Sequence, residues 1–153
     1  MSACRYFGVD GGIDVSKKSL AFLFALYIAV VLKLTVFRSV TLSGRDANFL
    51  LFSDLAAVLK EKGLSPFLRL FLGNIGWFMP LGFLLPAINK KYSFLSTVIT
   101  GLFFSLFIET LQFVFKKGVF EIDDLILNTF GTALGFFAYG MSRFCIDKIR
   151  RLW

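Results

Sequence analysis

An apolar run over residues 94–115 contains a carboxylate, Glu109, and an amide, Gln112. The run is long enough to cross a bilayer, because the hydrocarbon core takes about 20 residues of helix. An ionisable group at that depth costs at least ~2.5 kcal/mol on insertion scales, so a chain does not direct it towards lipid. We therefore expect Glu109 to face other helices or a water-filled cavity, as a residue of a functional site.

The composition assigns this run to an integral membrane protein. The chain has 153 residues, of which 57% are hydrophobic and 21 are Phe, and its mean hydropathy is +0.76. A soluble domain of this length could not cover so much apolar surface. Four stretches are suited to span a bilayer, namely residues 19–37, 67–86, 94–115 and 124–146. The sequence predicts an all-α membrane protein, with a cytoplasmic tail over 1–18 and a single four-helix domain over 19–153.

The distribution of lysine and arginine predicts that both termini are cytoplasmic in a plasma membrane. The pair Lys90-Lys91 and the basic C-terminal residues are the short, dense clusters that weigh most under the positive-inside rule. The second span then begins outside, so Asn74 lies one or two turns below the outer surface. Glu109 lies about 9 Å below Phe115, at 1.5 Å per residue. Polar groups of different spans are therefore expected to meet in the outer leaflet.

Helical spacing arranges small and polar residues on one face of each of the last two spans. The two sets are Gly101, Ser105, Glu109 and Gln112 in the third span, and Asp124, Asn128, Gly131 and Gly135 in the fourth. Small residues allow membrane helices to approach closely. We expect the two faces to pack against each other and to open into a polar pocket towards the outer surface.

The polar residues of this level are the candidate ligand-binding residues: Asn74, Glu109, Gln112, Asp123, Asp124 and Asn128. Simpler structural roles exist for three of them. Asp123 could equally cap the fourth span at its positive end. Asn128 and Gln112 could form hydrogen bonds between helices. A functional role is favoured for Glu109.

The segment over residues 38–66 is the one long connection between spans. A short helix is expected after Ser53, and Gly63 and Pro66 end it. This helix either lies along the outer membrane interface or packs as a surface helix on the loop. Cys4 and Cys145 would both lie on the reducing side of the membrane, so no structural disulfide is expected.

Three strings of the chain resemble motifs of the VanZ-like family of small bacterial membrane proteins. The strings are Asn74 with residues 77–83, residues 109–112 and residues 120–131, and the resemblance covers about residues 19–140. The motif positions of the family fall on Asn74, Pro80, Gly82, Glu109, Gln112, Asp123, Asp124, Asn128, Gly131 and Gly135. The namesake of the family is associated with resistance to teicoplanin, so the resemblance implies a role in the cell envelope without supplying a reaction.

Two positions depart from the family pattern. Members often carry an arginine shortly before the acidic pair, where this chain has Gly118, so Lys116 or Lys117 would have to supply that charge. The segment over residues 48–52 lacks the proline that the family has after its first span.

The leading hypothesis is an envelope protein that binds an amphiphile in the outer leaflet, either a lipid-tailed glycopeptide or a lipid-linked wall precursor. The alternative is a membrane enzyme that acts on a lipid-linked substrate through its carboxylates, with or without Mg²⁺. A proton-coupled transporter comes third, because four spans would have to form a homo-oligomer to make a pathway. The chain has no His, which argues against a zinc hydrolase. No resident cofactor or metal is predicted, and the positive charge is assigned to membrane lipids and not to nucleic acid.

Overall fold

A computed structural model describes residues 17–36 and 47–152, in which five helices and two short strands follow one another. They are α1 (Lys17–Thr35), β1 (Ala47–Asn48), α2 (Ser53–Lys62), α3 (Leu64–Ile88), α4 (Phe94–Val114), β2 (Phe120–Glu121) and α5 (Ile122–Arg150). Most of the predicted tail, residues 1–16 with Cys4, lies outside the described residues. The all-α prediction is confirmed.

Four of these helices, α1, α3, α4 and α5, are long and apolar enough to cross a membrane, so the chain is a multi-pass membrane protein. Each coincides with a predicted span to within a few residues. Ser93 caps α4, because its side chain accepts a hydrogen bond from the backbone N–H of Ser96. With 29 residues, α5 is about 43 Å long, which exceeds the hydrocarbon thickness. Its last turn, with Lys148 and Arg150, therefore extends beyond the core of the bilayer.

The centre of the bundle is the contact between α3 and α5, which run in the same direction. A Cβ placed on Gly131 would overlap the backbone carbonyl of Ile75, and one on Gly135 would overlap that of Met79. On the other helix, a Cβ on Gly82 would overlap the carbonyl of Thr132. The two backbones touch at these points because the glycines carry no side chain.

The predicted partner of Gly131 and Gly135 is therefore wrong, because both pack on α3 and not on α4. The part of α5 that meets α4 lies one residue further along, at Thr132, whose side chain fills the space over Gly101. Helical spacing fixes which residues share a face, but α5 is surrounded by two helices, and the spacing does not say which helix each face meets.

The first span packs on the outside of this core. Val31 of α1 is buried in an apolar cluster with Phe78 and Leu81 of α3 and Ile108 of α4. The hydroxyl of Tyr27 donates a hydrogen bond to the backbone carbonyl of Trp77, 2.7 Å away. This contact lies one turn before Pro80, one of two prolines that α3 accommodates without ending. Neighbouring helices commonly satisfy backbone groups near such prolines.

The segments between the spans form a layer at one end of the bundle. Leu55 of α2 is buried with Ile75 and Leu127, so α2 packs on α3 and α5 and not on the loop alone. Strands β1 and β2 pair in parallel, with Ala47 opposite Phe120 and Asn48 opposite Glu121. This pairing was not predicted, because two-residue strands leave no periodic pattern in a sequence.

Alanine substitution tests the backbone contact between α3 and α5. An alanine in place of glycine stabilises an unobstructed helix by up to about 1 kcal/mol, whereas overpacking costs about 1–3 kcal/mol. We expect Gly135→Ala to lower the midpoint of thermal unfolding in detergent by several degrees. The matched control is Gly140→Ala on the same helix, where an added Cβ has no atom within 4 Å, and its midpoint should stay or rise. Equal midpoints for the two variants would contradict the contact.

Candidate ligand-binding site

A cavity of about 520 Å³ lies between the end of α1, the helix α2, the first turns of α3 and the connection that leads into α5. Its polar lining comes from Thr35, Asn74, Gln112, Glu121 and Asp124, together with the last residues of α2. The helices α1 and α4 end here, and α3 and α5 begin here, so all four spans contribute to one end of the bundle. The predicted convergence of polar residues is thus present in the structure.

A hydrogen bond between side chains joins α3 to α5 at the floor of the cavity. The amide nitrogen of Asn74 donates to a carboxylate oxygen of Asp124. Asp124 lies in the first turn of α5, where the partial positive charge of the helix N-terminus stabilises a carboxylate. Asn74 can approach because the glycines below hold the two helices at short distance.

Gln112 lines the cavity and connects two helices at the same time. Its amide nitrogen donates to the backbone carbonyl of Thr35, 3.2 Å away, in the last turn of α1. The carbonyls of the last turn of a helix have no partner within the helix, so this bond satisfies one of them. Both predicted roles of Gln112, in the pocket and between helices, are compatible with this position.

Glu109 lies behind the cavity wall and is only 1% exposed. One of its carboxylate oxygens accepts a hydrogen bond of 3.3 Å from the backbone N–H of Glu121 in β2. The expectation that Glu109 faces other protein groups is confirmed. Its carboxylate fixes the strand from which Glu121 reaches the cavity, so Glu109 acts on the lining through that strand.

Asp123 is also buried, at 3% exposure, and does not line the cavity. Its carboxylate accepts a hydrogen bond of 2.7 Å from the backbone N–H of Phe52. The cap position of α5 is Glu121, so Asp123 is not the capping residue. Its carboxylate nevertheless lies in the first turn, at the positive end of the helix dipole, as predicted. Phe52 has a φ of 58°, a left-handed conformation that is unfavourable for a bulky residue. The bond to Asp123 offsets that cost and positions the start of α2.

Asn128 lies deeper, between α5 and α4. Its amide nitrogen donates to the hydroxyl of Ser105 over 2.9 Å, and its backbone carbonyl accepts from the hydroxyl of Thr132. This is the interhelical role that the sequence allowed. Of the six candidates, Asn74, Gln112 and Asp124 line the cavity, and the other three support its walls.

The sequence did not single out the residues that α2 contributes. Glu61 and Lys62 line the cavity together with Asp124, and Trp77 of α3 adds an aromatic side chain to the lining. The charges at the end of α2 were visible as a helix terminus, but a short amphipathic helix does not show which surface it covers. Gly118 also lines the cavity, where the family pattern has an arginine. The lining lysine is therefore Lys62, and not Lys116 or Lys117.

The polar groups of this layer are satisfied by one another. Throughout residues 17–36 and 47–152, no buried side-chain nitrogen or oxygen lacks a hydrogen-bond partner. In the same part of the chain, no three His, Cys, Asp or Glu side chains are grouped so that they could hold a metal ion. The lining is thus a fixed set of carboxylates, amides and one lysine beside apolar side chains.

A family model and a known protein both match most of this chain. The family model described as VanZ/LLP1 matches residues 24–143. The chain is also similar to Protein VanZ of Enterococcus faecium, with 31% identity over 125 residues that cover 78% of this chain and 73% of that protein. No solved structure matches.

Removal of the Asp123 carboxylate tests how the layer above the cavity is held. In Asp123→Ala the N–H of Phe52 loses its acceptor, and a hydrogen bond to a charged group contributes about 1.5–3 kcal/mol. We expect hydrogen exchange of the amides over residues 47–55 to become at least about tenfold faster by mass spectrometry. In Asp123→Asn, which keeps an acceptor oxygen, the exchange rate should lie between those of Asp123→Ala and wild type. Unchanged exchange in Asp123→Ala would show that this bond does not hold the segment.

Proposed function

This chain belongs to the VanZ/LLP1 family, and from that premise we propose that it binds a lipid-tailed ligand and contributes to resistance to teicoplanin-type lipoglycopeptides. The single observation that carries the proposal is the cavity at the end of the bundle, where Asn74, Gln112 and Asp124 meet. The namesake of the family is associated with resistance to teicoplanin, which supports a lipoglycopeptide as the ligand.

The two kinds of lining support an amphiphile over a purely polar or purely apolar ligand. Part of the lining is apolar and consists of Leu34, Leu55, Leu70 and Trp77. The rest of the lining includes carboxylates and amides. An acyl chain could lie along the leucines, while an amino or hydroxyl group of the ligand donates to the carboxylates. Burial of such a chain contributes about 0.8 kcal/mol per methylene group.

The charges of the cavity favour a cationic or hydroxylated head group. Glu61, Glu121 and Asp124 bring carboxylates to the lining, and Lys62 brings an ammonium group. A volume of about 520 Å³ falls within the range of small-molecule sites, which is ~300–1,000 Å³. It suits the tail or one sugar of a lipoglycopeptide, or the head of a lipid-linked wall precursor, with the rest of the ligand outside the cavity.

The same proposal requires the cavity to face outward, with both termini in the cytoplasm. The opposite end of the described chain carries Lys17, Lys18, Lys90, Lys91, Arg143, Lys148, Arg150 and Arg151 against Asp147 as its acidic residue. Such an excess of basic residues beside short connections is typical of the cytoplasmic side.

A membrane enzyme that acts on a lipid-linked substrate is the second candidate. The observation in its favour is that three carboxylates line one cavity. Such groups could accept or donate protons at a bound substrate. Turnover of a lipid-linked precursor by the purified protein, lost in Asp124→Asn, would favour this candidate over a binding protein.

Cysteine labelling in intact cells tests the orientation. In a Cys145→Ser background, Cys4 should react with a membrane-impermeant maleimide only after the cells are broken. A single cysteine at position 118, with both native cysteines replaced, should react in intact cells, because Gly118 lines the outer cavity. The reverse pattern would overturn the outward direction of the cavity and, with it, the proposed ligand source.

Binding of teicoplanin to the full chain in nanodiscs tests the cavity. Asp124→Asn keeps the shape and removes a charged hydrogen-bond partner worth about 1.5–3 kcal/mol, so affinity should fall by at least about tenfold. Glu109→Gln replaces the charged acceptor of the Glu121 N–H by a neutral, weaker one. The protein should therefore still fold, but the strand that holds Glu121 in the cavity should be less firmly fixed, and the resistance phenotype should be lost. Asp147→Asn at the opposite end is the matched control and should bind as wild type.

The tail of the ligand is tested separately. A glycopeptide that lacks the acyl chain should bind at least about tenfold more weakly, since two buried methylene groups already contribute about 1.6 kcal/mol. Equal affinity with and without the tail, or equal affinity of Asp124→Asn and wild type, would contradict a lipid-tailed ligand in this cavity.

A further inference from the structure

A second cavity lies at the opposite end of the bundle. It measures about 320 Å³ and lies between the end of α3, the turn that follows it, and α5. Its polar lining is Lys90, Tyr92, Tyr139 and Arg143, and its remaining wall is Pro86, Phe136 and Gly140. It has no lining residue in common with the cavity described above, so an inference from it does not rest on the proposed function.

An apolar groove adjoins this cavity along the outer face of α5. The groove has a volume of about 370 Å³ and is lined by Phe136, Phe137, Gly140, Met141, Phe144 and Cys145. Phe136 and Gly140 belong to both linings, so the polar cavity and the groove lie side by side on α5. The pair has the form of a head-group site with a channel for a chain.

Gly140 lies at the boundary between the two spaces. A Cβ placed on Gly140 would meet no atom within 4 Å, so the missing side chain leaves open space and not a helix contact. Gly131 and Gly135 of the same helix, by contrast, lie against the backbone of α3. Gly140 therefore leaves open space on the surface of α5 between the polar cavity and the groove.

Aromatic pairs fix the walls around this gap. The ring of Tyr139 packs edge-on against Phe83 of α3, with centroids 5.7 Å apart. The ring of Phe136 packs against Phe94 of α4 at 5.6 Å. Tyr139 and Arg143 are one helical turn apart, so both side chains reach the same face of α5. Arg143 is half-buried there, although it lies near the charged end of the helix.

The charges determine which ligand the site suits. Lys90 and Arg143 are both cations, and no acidic residue is among the lining residues. Guanidinium groups bind phosphate through paired hydrogen bonds, and basic pockets between transmembrane helices bind anionic lipid head groups.

We propose that an anionic phospholipid binds at this site, with its phosphate between Lys90 and Arg143 and one acyl chain in the groove beside Gly140. The hydroxyls of Tyr92 and Tyr139 would donate to the phosphate or ester oxygens. We prefer a lipid over a soluble phosphate because only a lipid has an apolar chain that could occupy the adjoining groove.

The test uses the full chain in detergent, with phosphatidylglycerol and phosphatidylcholine of the same acyl chains added in turn. We expect phosphatidylglycerol to raise the midpoint of thermal unfolding by several degrees more than phosphatidylcholine. The double variant Lys90→Gln with Arg143→Gln tests the two cations. Its affinity for phosphatidylglycerol, measured by native mass spectrometry, should fall about fivefold for each cation removed. The control pair, Lys148→Gln with Arg151→Gln, removes the same charge at the same end and should keep the affinity.

Gly140→Leu tests the groove without touching a charge. Because the position is open, this variant should fold, and its leucine should occupy the channel and weaken phosphatidylglycerol binding. Three results would overturn the site: equal effects of the two lipids, an equal loss in the control pair, or wild-type lipid binding by Gly140→Leu. Inorganic phosphate at matched ionic strength should give no stabilisation, and an effect equal to that of the lipid would also contradict the proposal.

Discussion

The backbones of α3 and α5 touch, and the position of every other element follows from that contact. Gly82, Gly131 and Gly135 remove the side chains that would separate the two helices. Association within a bilayer gains little from the hydrophobic effect, because lipid tails are as apolar as the helices. Close packing of small residues therefore supplies the attraction, and α4 and α1 are arranged around the pair that it creates.

Polar groups at the end of the bundle depend on the same contact. Asn74 reaches Asp124 only because the helices below them are close, and Glu109 and Asp123 each accept a backbone N–H from a segment that follows or precedes a span. A carboxylate within a membrane is costly without partners. Here the carboxylates serve as acceptors for loops that otherwise would have to leave their own N–H groups unsatisfied.

Much of this arrangement could be predicted from the sequence, for identifiable reasons. Span length and hydropathy gave the four membrane helices, and the spacing of Glu109 and Gln112 gave the face of α4 that turns inward. The partner of Gly131 could not be predicted, since a periodic pattern defines a face and not its neighbour. The pairing of Asn48 with Glu121 and the left-handed backbone of Phe52 also escaped prediction, because both arise from contacts between residues that are far apart in the chain.

The parallel pairing of β1 with β2 has a consequence for the order of assembly during synthesis. It joins residues 47–48 to residues 120–121, so the chain between them, with α2, α3 and α4, forms a loop closed by a few backbone hydrogen bonds. Asp123 and Asp124 close the same loop through Phe52 and Asn74. None of these bonds can form until the ribosome has passed the start of the last span. The first three spans therefore enter the bilayer with one end of the bundle still open, and α5 completes that end and the walls of its cavity as the last step.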